Sequence, residues 1–143
     1  MTMKIRVVRA LKNARTRLRD AAAAAHSTAA VNRDRSAQEL QDEHDSLEAA
    51  LDEAAGSLAA ARNVHELDRV AESTVMYRLS VADAAQRHQV ALAASEETAD
   101  KLRERSRQLR TAERLYERVE HRRARRESRA ERTRTDDMAA RRR

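Results

Sequence analysis

Leucine and alanine recur along this chain at alternating intervals of four and three residues. Between positions 40 and 61 the series is Leu40, His44, Leu47, Leu51, Ala54, Leu58, Ala61, which reads as the a/d seam of a coiled coil. A second series, His88, Leu92, Ser95, Ala99, Leu102, Ser106, Leu109, Glu113, Tyr116, keeps the same spacing with small or polar side chains in alternate layers. Two seams in one chain predict two helices that zip together. The N-terminal stretch adds Ile5, Val8, Leu11 and Leu18, but Leu18 and Leu40 lie one residue beyond three heptads apart, so the pattern predicts a slip of the seam between them.

The expected fold is therefore all-α, one long antiparallel two-helix coiled-coil hairpin over residues 1–143, with arm one at about 3–58, the turn within 56–74 and arm two at about 75–140. Gly56, Asn63 and Ser73 are the candidate helix breakers. Arms of this size, at about 1.5 Å per residue, predict a rod on the order of 80–100 Å long.

Composition narrows the alternatives. Two tyrosines are the only aromatic residues, proline is absent, Gly56 is the only glycine, and 38% of residues are charged. Alanine, which dominates the apolar share, buries little area per residue, so a globular core is not expected. Turns and sheet edges need the dihedral freedom of glycine and proline, and their near absence argues against β architecture. No cysteine is present, and no apolar run approaches the roughly 20 residues that span a bilayer. A cytoplasmic, soluble chain without a secretory signal is expected.

Charge divides the chain into blocks. Residues 1–35 carry +7, residues 36–61 carry −7, residues 62–100 carry −3 and residues 101–143 carry +9, giving the net +6. Folded as a hairpin, the two basic blocks would meet at the end that carries both termini.

Chemistry is sparse. The five histidines include no pair three or four residues apart, so no metal site and no cofactor is expected. A two-helix rod offers no water-excluding cleft for a nucleophile and the sequence has no Gly-rich phosphate loop, so an enzyme is not expected. The arginine-rich tail from Arg118 to Arg143 is interleaved with Glu117, Glu120, Glu127, Glu131, Asp136 and Asp137 and has no aromatic residue to stack on a base, so nucleic acid is not the expected partner. Tyr77, Val81, Ala84 and His88 share one helical face at spacings of four, three and four, a pattern that fits core packing or a contact surface.

The C-terminal third carries a resemblance. Leu115-Tyr-Glu-Arg, then Glu127 twelve residues after the leucine, then Asp136-Asp137-Met-Ala-Ala-Arg, resembles the end of the FliJ/YscO family of type III secretion and flagellar export proteins. The set Tyr77, Val81, Ala84, His88 is similar to an aromatic, leucine, alanine, histidine face of the flagellar member that contacts the export gate. The resemblance implies a non-enzymatic central stalk that inserts its terminal end into a hexameric export ATPase ring, reaches an export gate protein and, in some members, handles export chaperones. It implies gate binding by Tyr77, Val81, Ala84 and His88. It implies ATPase binding by Leu115, Arg118, Arg122, Arg125, Arg126, Glu127, Arg129, Asp136 and Asp137. It further implies a monomer at the cytoplasmic face of the inner membrane export apparatus, without membrane insertion. The alternatives are a nucleic-acid-associated basic coiled coil and a generic coiled-coil scaffold, in which the seams would pair between chains.

Overall fold

A computed structural model describes residues 5–60 and 63–140. It contains two helices, α1 (Ile5–Ala60) and α2 (Val64–Ala140), packed against each other as an all-α helical hairpin. Gly56 lies inside α1, without positive φ, and Ser73 lies inside α2. Asn63 is the residue that marks a helix end. Its Oδ1 accepts the backbone N–H of Glu66 at 3.0 Å, its Nδ2 donates to Glu66 Oε1 at 3.1 Å, and its carbonyl accepts the Leu67 N–H at 3.4 Å. This is an N-cap with its partner at the third helical position, and it starts α2 at Val64, about one-and-a-half heptads ahead of the start at 75 read from the seams.

Contacts divide the chain into two compact units, one formed by Met1–Ala23 with Lys101–Arg143 and the other by Ala24–Asp100. In the first, Arg15 donates to Gln108 at 2.5 Å and Arg9 to Tyr116 at 3.3 Å, so the two helices run antiparallel. Val8, Leu109 and Ala112 are its buried apolar residues. In the second, His26 meets Thr98, Ser36 meets His88 and Ser80 donates to Glu43, again in antiparallel order. Here the buried set is Ala29, Ser36, Ala84 and Ser95.

The central row of residues that lose water on α1 alternates by three and four, with Leu11, Thr16, Ala23, Ala30 and Glu39 half-buried beside it. The row is Ile5, Val8, Lys12, Arg15, Arg19 and Ala22 in the first unit, then His26, Ala29, Arg33, Ser36, Leu40, Glu43, Leu47, Ala50, Ala54 and Ser57 in the second. Two expectations change. Half of the leucine series is displaced by one residue: Leu40, Leu47 and Ala54 are on the seam, but His44, Leu51 and Leu58 point outward, with Leu51 at 41% and Leu58 at 52% exposure. The slip after Leu18 is also absent, because Leu18 is 43% exposed and the register is carried across that stretch by Lys12, Arg15, Arg19, His26 and Arg33. Long polar side chains can hold a seam position by laying their methylene stems across small residues on the partner helix while their heads reach water.

On α2 the corresponding positions are Val70, Thr74, Tyr77, Val81, Ala84, His88, Ala91, Ser95, Thr98, Leu102, Arg105, Leu109, Ala112, Tyr116 and Val119. Of the two rows expected there, the one through His88, Ser95, Leu102, Leu109 and Tyr116 occupies the seam. Leu92, Ala99, Ser106 and Glu113 stand one residue to its side and are half-buried.

This register separates two leucines of similar sequence context. Leu109→Ala should cost about 2 kcal/mol or more, because it leaves a void against α1, whereas Leu51→Ala should stay within roughly 1 kcal/mol. Urea titration of both variants checks the register, and equal losses would refute it.

Candidate functional site

The first unit presents the more organised surface. Tyr116 sits on the seam with Lys12 Nζ 5.1 Å from its ring centroid and the Arg9 guanidinium carbon 6.0 Å away. Its hydroxyl accepts from Arg9 and donates to Glu120. One aromatic ring therefore gathers two cations from α1, and its hydroxyl ties Arg9 to a carboxylate on α2. Beside it, Ile5, Arg9, Glu117, Glu120, His121, Arg123, Ala124 and Glu127 line a shallow open groove of about 430 Å³.

Every described residue from Glu120 to Ala140 is exposed. Arg118, Arg122, Arg125, Arg126, Arg129, Asp136 and Asp137 all lie on exposed helix surface, while Leu115 is half-buried next to Tyr116. Glu127 accepts from Arg123 Nε at 2.6 Å, an i,i+4 pair that raises the Arg123 guanidinium above its ordinary range through that hydrogen bond and the carboxylate charge. The residues expected for ATPase binding are thus brought together on one stretch of helix. Arg9, Lys12 and Arg123 join them there. Sequence spacing could not link Arg9 to Tyr116 before the antiparallel register was known.

The set expected for gate binding has a different environment. Tyr77, Val81, Ala84 and His88 are consecutive seam positions of the second unit. Ala84 is 1% exposed, and His88 Nδ1 lies 3.1 Å from Ser36 Oγ. Ser36 Oγ donates its own proton to the Arg33 carbonyl at 2.8 Å, so the imidazole N–H is the donor to Ser36. Only Tyr77, 38% exposed, reaches the rim. Ala84 and His88 of this face pack toward α1. The large apolar groups that the second unit turns to solvent near Tyr77 are Val75, Met76 and Leu79, at 52%, 66% and 59% exposure.

Among the described residues no group of three or more His, Asp or Glu could hold a metal ion. No helix is long and apolar enough to cross a membrane.

Because the ring of Tyr116 carries the two cation contacts and its hydroxyl the two polar ones, Tyr116→Phe should cost under about 1 kcal/mol. Tyr116→Ala should cost about 2–3 kcal/mol, since it removes a half-buried seam aromatic as well. Equal effects of the two substitutions in urea unfolding would mean that the ring is not the organising element.

No protein-family model matches the chain, and no curated protein or solved structure matches it either.

Proposed function

We propose that this chain is a non-enzymatic central stalk protein of a type III secretion or flagellar export apparatus. In this reading the end carrying both termini inserts into a hexameric export ATPase ring at the cytoplasmic face of the inner membrane. The second unit couples the ring to the export gate protein, and export chaperones are a further class of partner. The observation that carries the reading is a helical hairpin whose second helix outruns the first, leaving a basic segment fully exposed over Glu120–Ala140. That segment also holds most of the motif residues on which the family resemblance rests, from Leu115 through Glu127 to Asp136 and Asp137.

A stalk of this kind works by shape and surface charge, so it needs no cavity. Its hairpin closes on itself, which leaves one copy free to stand on the axis of a ring. The ring contact is assigned to Arg118, Arg122, Arg125, Arg126 and Arg129, whose heads are free to meet carboxylates or backbone carbonyls of the ATPase. The gate contact is assigned to the outward face at Val75, Met76 and Leu79, because the seam residues Ala84 and His88 are already in contact with α1. Methionine beside leucine and valine makes an adaptable apolar surface.

Removing residues 118–143 should abolish binding to the export ATPase ring and its stimulation, while circular dichroism loses only the helix that was deleted. Full stimulation by the shortened chain would place the ring contact elsewhere. On the second unit, Tyr77→Ala should lower stability by about 1–2 kcal/mol, as expected for a partly buried aromatic, and leave gate affinity intact. Met76→Ala with Leu79→Ala should leave melting nearly unchanged and weaken gate binding at least tenfold. The reverse pattern would return the docking role to the Tyr77 face.

A further inference from the structure

Arg118, Arg122, Arg125, Arg129 and Arg132 follow one another at intervals of four, three, four and three, so they form a single row along the exposed part of α2, about 21 Å long. Among the described residues none of the five makes an ion pair, although carboxylates are abundant in the same stretch. The spacing explains why. The stabilising pairs on a helix surface are those three and four residues apart, and for Arg118, Arg122, Arg125 and Arg129 those neighbours include no acid, while Glu117, next to Arg118, makes no pair with it. Only Arg132 has one, Asp136. The interleaved carboxylates Glu117, Glu120, Glu127 and Glu131 keep to another face, at intervals of three, seven and four, where their cationic neighbours at three and four residues are Arg114, Arg123 and Arg134. The apparent neutralisation of the tail in the linear sequence therefore disappears in the helix, which carries one acidic row and one uncompensated arginine row.

An uncompensated row is costly for the free helix, because arginines stand next to arginines at each step. What relieves it best is a dense, regular polyanion. Exposed carboxylates of another protein return little for each pair formed and seldom repeat at the spacing of the row, so they relieve it only in part. Duplex nucleic acid is different in kind, since it presents one phosphate charge per about 1.7 Å of axis and releases condensed counterions when guanidinium groups replace them. Arginine, whose fork of N–H donors matches phosphate oxygens, fills all five places, with no lysine among them. We infer that this row is a sequence-independent contact surface for the phosphate backbone of double-stranded nucleic acid. The inference does not rest on the stalk reading and is tested without any export component.

The test is fluorescence anisotropy of the full chain with a 20-base-pair DNA duplex, titrated between 50 and 200 mM NaCl, beside poly-glutamate as an acidic polypeptide. Five phosphate contacts predict a log–log slope of about −4.5 and an affinity loss of about 500-fold over that range. In the variant R122Q/R125Q/R129Q, two contacts remain, and the slope should fall to about −1.8, a loss of about 12-fold. Glutamine keeps the helix, and circular dichroism should show undiminished helicity. The control R69Q/R78Q/R87Q removes the same charge from exposed positions of the same helix more than thirty residues before the row and should retain the steep slope. Absence of duplex binding at 50 mM NaCl would overturn the inference. So would an equal change of slope in the two triple variants, or displacement of the duplex by poly-glutamate at equal charge concentration, which would make the row a surface for acidic protein.

Discussion

Everything in this molecule depends on a seam that repeats every seven residues and is made largely of side chains that bury little. Leucine and valine appear at only some layers; among the others are the buried small residues Ala29, Ser36, Ala84, Ser95 and Ala112, and cationic stems hold further positions. Burial contributes about 25 cal/mol per Å² of apolar surface, so alanine layers contribute little each and length must supply the total. That is why the helices run to 56 and 77 residues, and why a chain of this size forms one hairpin instead of a globule. It also explains the polar layers. Ser36 with His88 and His26 with Thr98 satisfy each other inside the seam, fixing register where packing alone would tolerate sliding.

The fold class was legible because two signals agreed: absence of turn formers and a 4-3 repeat in each half. The register was legible only in part. Following leucine picks out Leu40 and Leu47 correctly but continues to Leu51 and Leu58, which face water. A leucine and an alanine one position apart are nearly equivalent in the pattern, while the helix must choose one: Ala50 and Ser57 are small and let the helices approach, and Glu43 accepts a hydrogen bond from Ser80 of α2. The supposed slip after Leu18 has the same origin. Arg15, Arg19 and Arg33 do not look like seam residues, yet their stems are what bridge that stretch. The helix start at Val64 was visible in Asn63 and Glu66, three apart, a signal with a mechanism that the weaker glycine cue overshadowed.

The candidate surfaces divide along the same line. Tyr77, Val81, Ala84 and His88 share one face by spacing, and spacing does not say how much of that face meets the other helix. For His88 the partner at Ser36 does. Tyr116 was read as packing, and it packs, but its ring also collects Lys12 and Arg9 from a helix more than a hundred residues away in sequence, a link that local spacing does not contain.

Basic residues consequently have two separate physical roles in one chain. In α1, Lys12, Arg15, Arg19 and Arg33 are structural: their stems fill seam positions and their heads are drawn to Tyr116, Gln108, Asp20 and Asp34. Arg19 shows the compromise: its stem lies along the seam while its head reaches Asp20 at 3.0 Å. In α2 from Arg118 onward the arginines lie on exposed helix surface, and five of them have no acid three or four residues away except at the last step. Net charge counts both groups equally, yet only the second is available to a partner. A uniform change in ionic strength should therefore act weakly on the hairpin and strongly on whatever the overhanging helix binds, since the stems are held by packing and the free heads by charge alone.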